Sequence, residues 1–367
     1  MQSIRIEPMT ETGQPRIPDK LGFGLHFSDR MFRMRYTAAH GWQDPTIGPF
    51  QDLILSPAAA ALHCGQMVFD GTKAYRRPDG DLNLFRVERN VARFNRSAAR
   101  LGMPTVDERL HIEAIETLVG LEHRWVPDID NASLYIRPVM IATEAALEVR
   151  ASREYLHYII VSPVGPYFPD GFNPVSVFVS HDHVRAVRGG TGEAKTPGNY
   201  AASIAVSEAA RKRGCQQVLW LDAIERRYID EVGAMNIAFV YGDKEIRTPP
   251  LSGAILHGVT RDSVLCLAPD LGFDVHETRM TIDEVWRDIE SGAISEAFGM
   301  GTAAVIAPVG SLVYRNDEAV LNQGKTGRVA RRLYEELTAI QYGRAPDPYG
   351  WTRTVAVADA GQSTAAP

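Results

Sequence analysis

Between residues 83 and 102 the chain places Val87, Val91, Phe94, Ala98 and Leu101 at steps of four, three, four and three. That period stacks five apolar side chains on one face of an α-helix, and Gly102 and Pro104 close it. A stripe this continuous needs an apolar partner surface. The chain supplies one downstream. After a second helical stretch at 106–124, the runs ASLYIRPVMIATE (132–144) and EYLHYIIVSPV (154–164) read as buried strands. Helices and strands do not alternate here in short βαβ steps, so an α+β fold is expected rather than a doubly wound one.

A chain of 367 residues exceeds one ordinary core and is expected to form about two domains. The segment GPYFPDGFNP (165–174) has two glycines and three prolines in ten residues, the composition of a connector. The expected division is residues 1–165, an interdomain loop at 166–182, and residues 183–367, with 1–20 and 352–367 poorly ordered. The second half reads as a helix at 199–212 stopped by Gly214, strands QQVLWLD (216–222) and MNIAFVYG (235–242), and a helix around 260–267. TIDEVWRDIESG then opens with Thr281 three residues before Glu284, a capping-box spacing.

Thirty-nine basic against 45 acidic residues give a net charge of −6, the wrong sign for a chain built around nucleic acid or an anionic membrane. No stretch approaches the roughly 18 apolar residues of a membrane span. Three widely separated cysteines, Cys64, Cys215 and Cys266, fit neither a disulfide framework nor paired metal-ligand spacing. The expectation is a soluble cytoplasmic protein acting on small molecules.

Residues 189–198, GGTGEAKTPG, surround Lys195 with glycines just before a helix. A phosphate-binding P-loop is excluded, because Ala194 rather than glycine precedes the lysine. What remains is an amine in a tight turn, either an ordinary surface lysine or one placed to attack a carbonyl. GMGTAA (299–304) fits a permissive dinucleotide pattern, yet the strand-like VIAPVG follows where a helix is required. Its turn can still offer backbone N–H groups and the Thr302 hydroxyl to an anion. Arg86, Arg89, Arg93, Arg96 and Arg100 form a basic stripe beside the apolar one. One of them could reach a phosphate while the others face water. Glu231, in DEVGAMN before an apolar strand, could hold a heterocyclic nitrogen protonated or simply end a strand in water. His181 and His183 lack a third ligand at sensible spacing, and no metal site is expected.

Taken together, FDGTKAYRR (69–77), LYIRPV (134–139), GGTGEAKTPGNYAAS (189–203), VLWLDAIERRYIDEVGAMN (218–236), ILHGVTRDSV (255–264) and FGMGTAAVIAPVG (298–310) resemble the branched-chain amino acid aminotransferases. These are pyridoxal 5'-phosphate (PLP) enzymes of fold type IV, class IV aminotransferases. The resemblance runs in order from about Leu21 to Trp351. It implies a small N-terminal α/β domain, a larger C-terminal domain with a mixed, barrel-like sheet, and a homodimer sharing pocket residues.

By resemblance Lys195 is the catalytic Schiff-base lysine, Arg93 the phosphate arginine, and Val259, Thr260 and Thr302 the rest of the phosphate cup. Glu231 pairs with the pyridine nitrogen, Tyr200 lies near the phenolic oxygen, and Leu256 packs on the ring. Phe27, Cys64, Phe69, Tyr135, Arg137 and Tyr167 take the side-chain pocket, and Thr302–Ala303 the α-carboxylate. The implied reaction is ping-pong exchange between aliphatic L-amino acids and 2-oxoglutarate, with Arg137 pairing the distal carboxylate of glutamate. Three motifs depart from the family: Cys64 replaces a pocket tyrosine, Ala234 a hydroxyl residue in EVGTMN, and FDGTKAY a frequent FEGLKAY. The family's Cys-x-x-Cys pair is absent. Cys64 and Ala234 keep open a transaminase of altered specificity, for an unusual L-amino acid, a D-amino acid or an amine.

Overall fold

The computed structural model describes residues 3–9, 17, 18, 20–165 and 171–357. In chain order its elements begin with β1 (Arg5–Ile6), β2 (Arg30–Thr37), β3 (Gly41–Pro49), α1 (Ala60–Cys64), β4 (Met67–Phe69), β5 (Thr72–Arg76) and β6 (Leu82–Phe85). Next come α2 (Val87–Arg100), α3 (Glu108–Leu121), β7 (Ser133–Ala142), β8 (Glu154–Val164) and β9 (Val175–Ser180). Then follow α4 (Pro197–Ala201), α5 (Ile204–Lys212), β10 (Gln217–Leu221), β11 (Ile229–Val232), β12 (Asn236–Tyr241), β13 (Glu245–Thr248) and α6 (Val259–Asp270). The last are β14 (Asp274–Glu277), α7 (Ile282–Glu290), β15 (Ile294–Gly301), β16 (Val305–Tyr314), β17 (Asp317–Val320), α8 (Arg328–Gln341) and β18 (Thr352–Val355). The architecture is α+β, with two compact units: Met1–Tyr167 with Ala339–Pro367, and Phe168–Thr338.

The first unit holds a nine-stranded sheet ordered β1-β3-β2-β8-β7-β5-β6-β18, with β4 on β7. The pleat sorts β7 into two sets. Leu134, Ile136 and Met140 join the core with Phe32, Met34, Ile159 and the α2 stripe Val87, Val91, Phe94 and Ala98. Tyr135, Arg137, Val139 and Ile141 alternate with them along the strand, and the latter two pack in a separate apolar cluster with Ala61, Phe69 and Tyr158. This alternation turns the predicted substrate residues of β7 away from the main core. Buried in that core, His111 of α3 and His157 of β8 stand with ring centroids 4.6 Å apart beside Phe94.

The second unit holds another nine-stranded sheet, β11-β10-β9-β16-β15-β12-β13-β14, with β17 on β16. It is mixed: β9 runs parallel to β10 and β16, β13 parallel to β14, and the other pairs are antiparallel. The capping box at Thr281 and Glu284 forms as the spacing predicts. Among the described residues no helix is long and apolar enough to cross a membrane.

Several boundaries differ from the sequence expectation. Asn83 to Phe85 belong to a strand, because β6 pairs with β18, and the helix starts only after Arg86 turns the chain at φ +50°. The span 352–367, expected as a loose tail, contains β18 at Thr352–Val355, and Val355 is buried in the first core. Residues 339–357 therefore belong with the first unit, not the second. Inside the expected 166–182 loop, VSVFVS forms β9 with Val175, Val177, Val179 and Ser180 buried, its β-branched residues overriding the proline-rich flank. Arg5–Ile6 similarly pair with β3, within a segment expected to be poorly ordered. The helix at 199–212 is two helices. Ser203 Oγ donates to the Tyr200 carbonyl at 2.7 Å, offering the backbone an alternative at the break.

Candidate active site

Lys195 ends the glycine-rich turn and precedes α4, whose first residue is Pro197, a residue preorganised for a helix start. Asn199 staples this turn from inside the helix. Its Oδ1 accepts from Thr191 Oγ1 at 2.8 Å, and its Nδ2 donates to the carbonyls of Thr191 (2.7 Å) and Ala194 (2.9 Å). Gly192 must be glycine, since a Cβ there would strike the Ala254 carbonyl and Ala186. So held, Lys195 is half-buried and its Nζ donates to Tyr200 Oη at 2.9 Å. Asn199→Ala is expected to cost about 1–3 kcal/mol for three lost hydrogen bonds, read by urea denaturation, and to lower kcat by loosening the lysine. Unchanged stability would refute the staple.

Glu231 on β11 is 2% exposed. Its Oε2 meets Arg185 Nε at 2.5 Å, while Oε1 accepts from Asn236 Nδ2 (3.1 Å) and the Leu256 N–H (3.2 Å). Three donors leave one of the carboxylate's roughly four lone-pair directions for another. Burial pushes its pKa up, with Arg185 and then the Leu256 N–H and Lys195 opposing the rise. Asn236 also donates to the Leu256 carbonyl at 3.0 Å, and Gly258 is packed against the Asn236 side chain. Asn236 thereby brings Glu231, Leu256 and the N-terminus of α6 together. Val259 and Thr260 open that helix, where unpaired N–H groups favour an anion.

Thr302 and Ala303 lie in the turn between β15 and β16, at the same sheet end, because Met300 pairs with Asn236. Val305 closes this turn at φ +61°, an uncommon conformation for a β-branched residue. Arg185, Asn199, Tyr200, Ser203, Glu231, Gly233, Ala234 and Leu256 line one cleft. A separate cavity of about 410 Å³ between β9 and α5 has neither lysine nor buried carboxylate.

In the first unit, Arg93 is 4% exposed, and its Nε and Nη2 grip Asp70 at 2.9 and 2.7 Å. Asp70 also accepts from Asn90 Nδ2 and the Gly71 N–H. Of the basic stripe only Arg86 and Arg93 are buried; Arg89, Arg96 and Arg100 face solvent. Arg137 donates to Tyr135 Oη at 3.0 Å and lies over the rings of Phe69 (4.7 Å) and Tyr135 (5.1 Å). Its Nε is buried without an acceptor among the described residues. Gly71 leaves room for Tyr135, since a Cβ there would displace Tyr135 Oη. Phe69, Tyr135 and Arg137 are thus one cluster. Phe27 packs instead on Phe50, and Cys64 ends α1 at the surface. Tyr167 lies outside the described residues. His181 and His183 are exposed, and among the described residues no three His, Cys, Asp or Glu side chains converge to hold a metal ion.

Arg185, Asn199, Asn236 and Asp70 are the residues that sequence reading did not single out. Asp70, Asn199 and Asn236 lie inside the quoted motifs, but Arg185 carries no local signal.

Residues 67–312 match the model of the amino-transferase class IV family. The chain is 48% identical over 356 residues to branched-chain-amino-acid aminotransferase 2 of Bacillus subtilis, covering 97% of this chain and 98% of that one. To a probable branched-chain-amino-acid aminotransferase of Streptomyces coelicolor it is 49% identical over 350 residues, covering 95% and 96%. A solved structure of the branched-chain aminotransferase of Thermoproteus uzoniensis with norvaline aligns with a TM-score of 0.71 at 26% identity. It covers 89% of this chain and 100% of that one. With its lysine, buried carboxylate and anion-ready helix start at one sheet end, the chain belongs to the branched-chain aminotransferases of the class IV aminotransferase family.

Proposed function

We propose that the protein exchanges the amino group between branched-chain L-amino acids and 2-oxoglutarate, with PLP as cofactor. The observation that carries this reading is the Lys195 amine on Tyr200, beside buried Glu231. The donor set fits the cofactor: an amine for its aldehyde, a carboxylate with a lone pair left for its ring nitrogen, and a helix start and turn for its phosphate. Bound there, PLP supplies an electron sink for the reacting carbon.

Lys195 carries the cofactor and moves the proton at the substrate Cα. Tyr200 keeps the amine oriented, and Leu256 packs against the ring. Val259, Thr260 and Thr302 hold the phosphate, and we assign Arg93 to the same phosphate. Phe69 and Tyr135 offer apolar faces to an aliphatic side chain, with Phe27, Cys64 and Tyr167 assigned to the same pocket, while Thr302–Ala303 receive the α-carboxylate. Arg137 pairs with the distal carboxylate of glutamate, and its acceptor-free Nε supports that role. Arg137→Gln is expected to raise KM for 2-oxoglutarate on the order of 10- to 100-fold, as loss of a charge-assisted pair does. Its effect on KM for branched-chain substrates should be only a few-fold. Equal rises for both would refute the assignment.

A homodimer in the cytoplasm completes the proposal. Exposed Leu25, Phe27, Phe50, Ile54 and Leu62 in the first unit leave apolar surface that association would cover, and three free thiols suit a reducing compartment. A second reading, altered specificity, is favoured by Cys64 and by Ala234, which lines the cleft beside Glu231. A panel of L- and D-amino acids and chiral amines, with 2-oxoglutarate as acceptor, separates the two. Highest kcat/KM for leucine, isoleucine and valine supports the first reading; another donor class ahead of them supports the second.

A further inference from the structure

Arg185 has no role in the scheme above, yet it is tied to three parts of the second unit at once. Its Nε meets Glu231 at 2.5 Å, with 9% and 3% of the two side chains exposed. Its Nη2 donates to the carbonyl of Gly192, in the loop that carries Lys195, at 3.1 Å. The same nitrogen donates to the carbonyl of Ala254, two residues before Leu256. One guanidinium therefore joins the carboxylate to the two loops that flank it. The planar fork of arginine can span such a set, whereas the single ammonium of lysine cannot. Those loops already approach backbone to backbone at Gly192, where a Cβ would strike Ala254.

The charge matters as much as the geometry. A carboxylate taken out of water takes up a proton unless a countercharge holds it ionised. The groups facing Glu231 are Arg185, Lys195 from the glycine-rich loop, Tyr200 from α4, Asn236 from β12 and the Leu256 N–H. On its own strand Asp230 is pushed up to about 7 by burial, with Glu231 and then Asp222 adding to the rise; Arg185 and Arg279 oppose it. Of the two cations facing Glu231, Lys195 is assigned to the reacting carbon. Arg185 meets the carboxylate oxygen directly.

We propose that Arg185 is a positioning residue of the reaction: it holds Glu231 ionised and aimed, and locks the Lys195 loop to the Leu256 loop around it. The proposal rests on the reading of Glu231 as the partner of the pyridine nitrogen.

The test is a double-mutant cycle of Arg185→Met and Glu231→Gln. Three readouts apply: kcat from pH 6 to 9, PLP affinity of the apoenzyme by fluorescence quenching, and apoenzyme Tm. Glu231→Gln should lower both kcat and PLP affinity. Arg185→Met should lower kcat at pH 7 on the order of 10- to 100-fold, as outer-shell partners do. It should also add a limb that recovers as pH rises and Glu231 ionises. In the Glu231→Gln background, Arg185→Met should cost several-fold less kcat and less Tm than in the wild-type background, because no carboxylate is left to hold and only the loop contacts to Gly192 and Ala254 are lost. Arg185→Lys, which keeps the charge, should restore a wild-type pH profile at reduced kcat, and it serves where the Met variant fails to fold. Equal losses from Arg185→Met in both backgrounds, or a Lys variant with the new limb still present, would overturn the proposal alone. Unchanged kcat and PLP affinity in Glu231→Gln would overturn the reading of Glu231 and the proposal with it.

Discussion

Lys195→Ala is expected to lower kcat/KM for amino donors by more than about 10⁴-fold, since one side chain supplies both the covalent link and the proton transfer. The fold should be unaffected. Lys195 is half-buried in a turn held by Asn199, not by the lysine itself, and its Nζ donates to Tyr200. Near-UV circular dichroism and Tm should therefore stay close to wild type while single-turnover transfer to 2-oxoglutarate disappears. The variant should still take up PLP through the groups around Glu231 and Thr260, but release it on dialysis far faster. Lys195→Arg should be equally inactive, because a guanidinium keeps the charge but is not a usable nucleophile. Either variant within tenfold of wild type would remove Lys195 from the chemistry and leave it a loop residue.

The second large effect is on stability. Burial holds His157 down at about 4, and His111 well below its ordinary 6.5, with His157 adding to the depression of His111. Each is neutral when folded and takes up a proton more readily when unfolded. Stability is then complete above about pH 6.5 and falls as pH drops from there towards 4. For His157 alone, a shift from 6.5 to about 4 corresponds to about 3 kcal/mol lost by pH 4. Asp230, raised to about 7 by burial, acts with the opposite sign across much of this window, gaining stability as pH falls. The comparison must therefore be with a variant. Both His111 ring nitrogens are buried without partners among the described residues. His111→Leu should thus be within about 1 kcal/mol of wild type at pH 7.5, because a buried polar group without a partner contributes no hydrogen bond to lose. It should also be measurably less sensitive between pH 6.5 and 4.5 in urea titrations. Parallel pH curves for the two proteins would show that the histidine pair does not set the acid limb.

The parts of this protein that are legible in its sequence depend on local spacing. The α2 stripe, the strand Glu154–Val164, the Thr281 capping box and the placement of Lys195 between a glycine-rich turn and a helix follow from periodicity, β-branching and backbone permissiveness within a dozen residues. Ordered motif blocks extend that reading to Glu231, Thr260 and Arg137. Other features join residues far apart in the chain. Asn83 and Thr354 meet because β18 returns to β6, which shortens the predicted helix and makes a strand of Thr352–Val355 at the start of the predicted tail. Arg93 meets Asp70, and His111 meets His157, only once α2, α3 and the sheet are packed. Arg185 reaches Glu231 from a distant part of the chain, and nothing in its sequence neighbours announces the pairing. Short-range order is written in side-chain period and turn chemistry. Long-range pairing is chosen by which apolar faces bury each other, and the polar contacts inside those faces are a consequence of that choice.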